Sequence, residues 1–336
     1  MERTAMTGPT ERAARLLLFA ASVAAALAAA TPLSAQEYPA RPVRILVGFA
    51  PGGGTDIIAR AVAPKLAAAL GQQVVVENRP GAGSNIASEI VAKAPPDGYT
   101  LLMGTIAALA INPSLYGNLP FDPARDFAPV SQVGAMNNIL VVHPVLPVTT
   151  VKAFVALAKS RPGEISYATP GVGSSAHLAG ELFRKVAGID IVAVPYKGGG
   201  QAIVDVLAGH VPAHFGAVPV VIHHLRTGKL KAIAVTTGKR AALLPEVPTV
   251  AEAGYPGYEV NNWYGLVAPA GTPRPIIDRL NKDLTAVLTA PDITKFLREL
   301  GHEPVPTTAE QFGAIIKSEI AKWAKVVKDA GIKSDQ

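Results

Sequence analysis

The sequence predicts an α/β protein of two domains, in which each domain is a mixed, mostly parallel sheet flanked by helices. Short apolar runs rich in β-branched residues alternate with longer, Ala-rich segments of helical periodicity. This alternation is typical of parallel strands covered by helices. A length of 336 residues also exceeds what a single hydrophobic core usually organises, which favours two domains.

The first strand–turn–helix unit is the most informative stretch of the chain. An apolar run at residues 43–49 predicts a buried strand, and residues 51–54 (PGGG) predict a tight turn. Thr55 and Asp56 then open a helix that runs to about residue 70. The first N–H groups of a helix lack intrahelical partners and carry partial positive charge, and glycines let a ligand approach them closely. The unit therefore predicts a carboxylate or phosphate site, with an ordinary turn stabilised by Asp56 as the alternative.

Further units of the same kind follow along the chain, separated by Gly- and Pro-containing turns. A connection rich in Pro and Asn at residues 112–126 predicts irregular structure. Strands are predicted at residues 74–78, 99–104, 127–134, 138–142, 165–169, 191–196, 211–218, 230–236 and 258–267, and helices at residues 85–93, 151–159, 174–185, 201–208, 273–288, 293–300 and 309–330.

The predicted domain boundaries follow from the order of these strands. We expect the chain to cross to a second domain after the strand at residues 127–134 and to return with the long strand at residues 258–267. The first domain is then formed by residues 36–137 and 259–336, and the second by residues 138–258.

The N-terminal 35 residues have the order of a secretory signal peptide. Three arginines lead into an apolar segment at residues 16–30, and small residues follow before Ala35. Cleavage is expected after Ala35, with Ala30 as the alternative. The apolar run is shorter than the roughly 18–20 residues that span a bilayer, and no Cys follows it that could carry a lipid anchor. We therefore expect export to the periplasm, which argues against nicotinamide or ATP chemistry and predicts no cofactor.

Composition narrows the class of partner. The formal net charge is +6, but the basic residues are spread along the chain without aromatic interleaving, so nucleic-acid binding is not indicated. The absence of Cys excludes disulfides and thiolate chemistry. Four histidines at positions 210, 214, 223 and 224 match no zinc-site spacing, and we predict no metal site.

Six blocks of the sequence resemble, in order, the Bug-type (TctC-like) extracytoplasmic solute-binding receptors of tripartite tricarboxylate transporters. Together they extend the resemblance over nearly all of the mature chain. The blocks are residues 49–56 (FAPGGGTD), 78–86 (NRPGAGSNI), 96–102 (PDGYTLL), 171–181 (GVGSSAHLAGE), 194–198 (VPYKG) and 263–269 (WYGLVAP).

The resemblance implies a two-lobed periplasmic-binding-protein (Venus-flytrap) architecture that is hinged and holds a ligand between the lobes. It implies a monomeric receptor for a small organic anion, a mono- or dicarboxylate, held by backbone groups and waters and delivered to a two-component integral membrane permease. One alternative is a sensor that presents the solute to a membrane histidine kinase. Another is an exported serine hydrolase, which is disfavoured because no Gly-x-Ser-x-Gly elbow lies at a strand-to-helix turn.

The candidate ligand-binding residues lie on the glycine-rich turns and on the helix starts that follow them. The serines could instead be plain helix caps, His177 could be packed in the core, and the aromatic residues could form only the cleft wall. Gly216 stands near a strand where members of the family often have an acidic residue, which disfavours a ligand with an amine. The predicted set is Phe49, Pro51, Gly52, Gly53, Thr55, Asp56, Ser84, Asn85, Thr169, Gly173, Ser174, Ser175, His177 and Tyr196.

Overall fold

A computed structural model describes residues 38–332 of the chain. The predicted signal peptide and both of its candidate cleavage sites lie outside these residues. Residues 38–40 belong to an N-terminal unit of their own, and the description below concerns the compact unit that begins at Arg41. Within the described part of the chain, no helix is both long and apolar enough to cross a membrane.

The first lobe is built on a six-stranded sheet with strand order β11-β4-β10-β3-β1-β2. Helices pack against this sheet. Its elements in chain order are β1 (Val43–Val47), α1 (Gly54–Leu70), β2 (Val74–Asn78), α2 (Asn85–Ala92), β3 (Thr100–Thr105), a π-helical segment (Ala107–Ile111), α3 (Asn112–Leu115), β4 (Phe127–Met136), then, after the second lobe, β10 (Asn262–Pro269), α8 (Arg274–Thr289), α9 (Pro291–Glu299), β11 (His302–Pro304) and α10 (Ala309–Ala330).

The second lobe is built on a five-stranded sheet with strand order β7-β6-β8-β5-β9. The chain enters it after β4 and leaves it before β10, and we keep residues 138–258 as the proposed extent of this lobe. Its elements are β5 (Asn138–Val142), α4 (Val151–Ser160), β6 (Ser166–Thr169), α5 (Ser175–Ala187), β7 (Val192–Pro195), α6 (Gly199–Leu207), β8 (Ala213–Ala217), α7 (Val218–Arg226) and β9 (Lys231–Val235).

Both sheets are mixed, as predicted, but parallel pairs are not the majority. Among the described strands, two of the five pairings in the first sheet and two of the four in the second are parallel. The reason is the crossover between lobes. The connecting strand β10 inserts between β3 and β4 antiparallel to both, and β5 runs antiparallel to its two neighbours.

The sequence prediction missed one helix that helps to form the site. The predicted strand at residues 211–218 ended at Val218 and nothing was predicted for residues 219–226, yet residues 218–226 form α7. Pro219 lies in the first turn of this helix, where its fixed φ is favourable and its missing N–H is not needed. The three-residue strand β11 was also missed, and part of the connection at residues 112–126 is helical as α3.

Helix α5 is positioned by the aromatic core of the second lobe. Phe183 on its buried face has its ring centroid 6.1 Å from that of Phe215 on β8 and 6.2 Å from that of Phe154 on α4. Tyr167 on β6 meets Phe215 edge-on at 5.3 Å. Aromatic pairs at these separations add specific geometry to the burial of apolar area. They fix the axis of α5, so that its N-terminus lies at the carboxyl end of β6.

Candidate functional site

A cleft between the two lobes contains about 460 Å³ of space free of protein atoms, including solvent at its mouth. The carboxyl ends of strands from both sheets lead into it, which is where α/β folds generally bind ligands. It is lined by Phe49, Gly53, Gly54, Thr55, Thr105, Ala107, Asn138, Pro170, Ser174, Ser175, Ala176, Gly199, Ala217, Val220, Asn262 and Tyr264.

Four helices begin at this cleft, one from the first lobe and three from the second. Only one of the four N-caps supplies a side-chain hydrogen bond: Ser174 Oγ accepts from the His177 N–H at 3.1 Å. The caps of α1, α6 and α7 are Gly53, Gly198 and Ala217, which have no side-chain acceptor. The positive ends of four helix dipoles therefore converge on one space, and first-turn N–H groups of α1 and α6 have no side-chain cap.

No charged side chain lines the cleft among the described residues. Its single titratable lining residue is Tyr264, and burial raises the pKa of that phenol, which keeps it neutral. Positive potential in the cleft thus comes from main-chain dipoles, without a carboxylate to oppose it. This arrangement suits a small anion.

The floor of the cleft is a chain of polar side chains that joins the lobes. The Asn262 amide on β10 donates to Asn138 Oδ1 at 3.1 Å, and Asn138 Nδ2 donates to Ser175 Oγ at 3.0 Å. Because Asn138 opens β5 and Asn262 opens β10, this chain follows the connections between lobes. The end of this chain that lines the cleft is Ser175, whose hydroxyl accepts from Asn138 and donates no hydrogen bond among the described residues.

The two glycine-rich loops touch each other across the cleft. The Ala50 N–H donates to the Lys197 carbonyl oxygen at 2.8 Å. A Cβ built on Gly198 would lie 2.9 Å from the Ala50 nitrogen, and one on Gly200 would lie 2.6 Å from the Pro51 oxygen. We call this pair of loops, residues 50–54 and 197–200, the clasp. Its backbone-to-backbone approach requires residues without side chains at these two positions.

Asp56 lies beneath the first loop of the clasp and does not line the cleft. Its carboxylate accepts hydrogen bonds from the Gly52 N–H at 2.9 Å, from Arg60 at 2.9 Å and from the Asn78 amide at 2.8 Å. Burial opposes its ionisation, but these three bonds outweigh that effect and lower its pKa. Asp56 therefore shapes the loop, and its charge is already balanced before any anion arrives.

The residues around the start of α5 fall into two groups, those that line the cleft and those that pack behind it. Ser174 and Ser175 line the cleft, whereas Thr169 lies behind Ser174 with the two hydroxyl oxygens 3.3 Å apart. His177 is buried, and its Nδ1 accepts from the Gly173 N–H at 3.4 Å. The imidazole bonds neither serine hydroxyl, and its Nε2 has no partner within residues 38–332. The nucleophile–base pair that a serine hydrolase needs is not formed here.

Three other predicted residues do not line the cleft. Ser84 is the N-cap residue of α2 and has a left-handed backbone with φ of 81°, but its side chain makes no cap hydrogen bond. Its Oγ packs where a Cβ of Gly48 would be. The Asn85 Oδ1 accepts from the Asn112 amide at 2.6 Å. Tyr196 donates its hydroxyl to Asp205 at 2.6 Å. These contacts are structural, and whether any of the three residues touches a ligand stays a prediction.

Of the predicted set, the structure brings Phe49, Gly53, Thr55, Ser174 and Ser175 to the lining of the cleft. Sequence reasoning missed the floor residues Asn138, Asn262 and Tyr264. A polar residue at the first position of an otherwise apolar strand was the available signal for both asparagines. The signal for α7 was Pro219, which is favourable in a first helical turn.

From the sequence alone, the lack of an acidic residue at position 216 argued against a ligand with an amine. That argument requires a side chain at position 216 to face the ligand, and the structure does not support this. A Cβ on Gly216 would lie 1.8 Å from Nε2 of the buried His214, so position 216 faces the interior of the second lobe. A carboxylate there would not reach the cleft. No group of three or more metal-ligating side chains is found within residues 38–332.

The fold and the cleft define a two-lobed α/β solute-binding protein. The chain belongs to the family described as the tripartite tricarboxylate transporter family receptor, which it matches over residues 58–332. This agrees with the resemblance found in the six sequence blocks.

Relatives of known name or structure support the same assignment. Protein BugT of Bordetella pertussis is 41% identical over 320 residues, covering 95% of this chain and 98% of its own. The structure of R. palustris Rpa4515 with adipate is 41% identical, with a TM-score of 0.86, and covers 88% of this chain and 99% of its own. MatC from Rhodopseudomonas palustris with bound malate is 32% identical, with a TM-score of 0.83, and covers 86% of this chain and 100% of its own.

Proposed function

We propose that this solute-binding protein captures a small organic anion, a mono- or dicarboxylate, in the cleft and delivers it unchanged to a two-component membrane permease. The observation that carries the proposal is the convergence of four helix N-termini on a space lined by no charged side chain. Uncapped N–H groups and the Ser175 hydroxyl supply donors for carboxylate oxygens. The relatives solved with adipate and malate support a carboxylate as the ligand.

The location and partner belong to the same proposal. A periplasmic site of action is supported by the family and by the order of basic, apolar and small residues before Ala35. Handover to a permease requires only that the lobes separate, because no bond is made or broken in the cleft. Capture by closure of two lobes is the hinge type of domain motion.

A thermal-shift panel of organic acids tests the ligand class, with calorimetry of each hit. An acid present at 100 times its dissociation constant should stabilise the protein by about 2.7 kcal/mol. The matched set contains the amide of each acid, which keeps the shape and removes the charge. Stabilisation by acids and not by amides supports the proposal, whereas equal stabilisation, or none by any acid, contradicts it.

The same samples are used to test whether the protein changes its ligand chemically. Each bound acid, and an ester of it, is recovered after long incubation with the protein and examined by NMR. An unchanged ligand agrees with a receptor. Protein-dependent hydrolysis of the ester, lost in Ser175→Ala, would instead support the hydrolase alternative.

A further inference from the structure

A second contact between the lobes uses residues outside the clasp. Tyr116, which follows α3 in the first lobe, donates its hydroxyl to the Val172 carbonyl oxygen of the second lobe at 3.2 Å. A Cβ built on Gly83 would lie 2.6 Å from the same oxygen, and one on Gly173 would lie 2.7 Å from Asn112 Oδ1. Here too, the lobes approach so closely that added side chains would force them apart.

The first-lobe side of this contact is a strained loop. Four successive residues have positive φ, namely Gly81 (137°), Ala82 (46°), Gly83 (60°) and Ser84 (81°). Within residues 38–332, Ala82 and Ser84 are the only residues other than glycine with positive φ. A residue with a Cβ keeps such a backbone only where its surroundings enforce it. We call residues 81–84 the latch.

Groups from both lobes hold the latch in this conformation. In the first lobe, the amide of the fully buried Asn112 donates to the Gly83 carbonyl oxygen at 3.0 Å, and the Ser84 N–H donates to the Gly81 carbonyl oxygen at 3.0 Å. From the second lobe, the Val172 carbonyl oxygen packs against Gly83. Separation of the lobes removes this second contribution and leaves the first.

The second-lobe side of the contact leads directly to the cleft. The loop at residues 171–173 is followed by Ser174 and Ser175, which line the cleft. A Cβ on Gly173 would also lie 3.1 Å from Cε2 of Tyr116. The first lobe therefore presses on the segment that positions the two serines.

We infer that the latch is a release device, in which closed lobes enforce a strained backbone that relaxes when the lobes part. Tyr116 is the positioning residue that holds the second lobe against it. The inference rests on the proposed function, because it concerns how the same receptor opens after capture. The affinity of a two-state protein for its ligand scales with the population of the binding-competent state. Strain confined to the closed state therefore lowers affinity and favours release.

Ala82→Gly should tighten binding, because glycine adopts positive φ without a steric cost and Ala82 is exposed. With adipate as the probe and malate as a second, we expect roughly three- to tenfold higher affinity and slower dissociation. Ala124→Gly is the matched control, since it replaces an exposed alanine without positive φ and adds the same freedom to the unfolded chain. Higher thermal stability of Ala82→Gly with unchanged affinity would place the strain in both states and overturn the inference.

Tyr116→Phe should act in the opposite direction, because it keeps the ring and removes the hydrogen bond to Val172. We expect roughly threefold or greater loss of adipate affinity, with faster dissociation. The control is Tyr255→Phe, which removes a hydroxyl without a hydrogen-bond partner within residues 38–332. Equal affinities in the two variants would leave Tyr116 with no role in closure and would contradict the inference.

A measurement without ligand separates this inference from the proposed function. The chain has no Cys, so Lys159→Cys on α4 and Lys282→Cys on α8, both exposed, give one labelling site in each lobe for fluorescence energy transfer. Ala82→Gly should shift the free protein toward the shorter distance between lobes, and Tyr116→Phe toward the longer one. If no acid binds, the proposed function fails while these shifts still support the latch. If neither variant changes the distance or the affinity, the latch is overturned while carboxylate capture stands.

Discussion

The Ala50 N–H donates a 2.8 Å hydrogen bond to the carbonyl oxygen of Lys197, and the two residues belong to opposite lobes. This bond joins the strand–turn–helix unit of β1 and α1 to the loop that opens α6. Around it, glycines bring the two main chains into contact. Under the proposed function, closure of the two lobes is therefore expected to be measurable at these backbone atoms, away from the side chains that line the cleft.

Gly198→Ala should impair closure without adding a side chain to the lining of the cleft. The added Cβ would meet the Ala50 nitrogen at 2.9 Å, so the loops must separate. We expect ligand affinity to fall roughly tenfold, about 1.4 kcal/mol, with little change in thermal stability of the free protein. Small-angle scattering with ligand should show less compaction than the parent. Gly117→Ala, whose Cβ would meet nothing within 4 Å, is the control, and equal behaviour of the two variants would contradict a role for the clasp.

The two serines that line the cleft should separate into a cap and a ligand contact. Ser174 Oγ accepts from the His177 N–H, so Ser174→Ala should cost about 1 kcal/mol of stability. Ser175 Oγ accepts from Asn138 Nδ2 and caps no helix, so Ser175→Ala should lower ligand affinity, by roughly tenfold or more if the hydroxyl donates to a carboxylate. Chemical denaturation and calorimetry of both variants give the two readouts. Ligand affinity unchanged in Ser175→Ala would leave both serines with structural roles alone.

Asp56→Asn tests whether this carboxylate shapes the clasp. The amide cannot accept all three bonds from Gly52, Arg60 and Asn78, so we expect a loss of about 1–2 kcal/mol of stability and weaker ligand binding. Since the folded pKa of Asp56 is lowered, its contribution is complete above the unfolded value near 3.8 and is lost as pH falls through the folded value. The control is Asp292→Asn, which breaks an exposed pair with Lys65. If Asp56→Asn lowers stability no more than this control does, Asp56 does not stabilise the loop.

Acid should destabilise the protein through two buried histidines. Burial lowers the pKa of His214 to about 4 and that of His302 to about 3, from 6.5. Both stay neutral in the folded protein while the unfolded chain takes up protons, so stability is full above pH 6.5 and falls below it. Each group can contribute a slope of up to about 1.4 kcal/mol per pH unit. Urea unfolding between pH 7 and 4.5 measures the slope.

His302→Leu should make that acid slope shallower, whatever it does to stability at neutral pH. The His302 ring is stacked on the Tyr264 ring, with 5.5 Å between the ring centroids. Neither ring nitrogen of His302 has a hydrogen-bond partner within residues 38–332. A slope unchanged by His302→Leu would assign the acid sensitivity to other groups.

Much of the fold follows from local patterns in the sequence. Apolar runs and Ala-rich helical segments placed most of the strands and helices, because each pattern reports which face is buried. The direction of β10 could not be predicted from local patterns. Its antiparallel insertion between β3 and β4 depends on the chain returning to the first sheet more than a hundred residues after β4. Helix α7 was missed because a β-branched sequence became a helix in tertiary context.

Local sequence patterns also predicted part of the candidate site, namely the residues on glycine-rich turns, but not the residues that tertiary structure brings to the cleft. Glycine-rich turns identify exposed helix starts locally, so Gly53, Thr55, Ser174 and Ser175 could be found. Asn138 and Asn262 reach the cleft only because the strands of two lobes meet there. Within the predicted turn, the glycines differ in how closely other protein atoms pack around them. A Cβ on Gly53 would stay 3.5 Å from its neighbours, whereas one on Gly54 would lie 3.0 Å from the Met136 methyl.

The convergence of helix N-termini has a consequence for how such a receptor can diverge. Main-chain N–H groups are present whatever the side chains are. Under the proposed function, point mutations at the cleft therefore leave the attraction between these N–H groups and an anion in place. Exchanges at Thr105, Asn138 or Val220 would then alter which anion fits. Under the proposed function, a receptor of this kind can therefore change its ligand through a few side-chain substitutions while its main-chain anion site is retained.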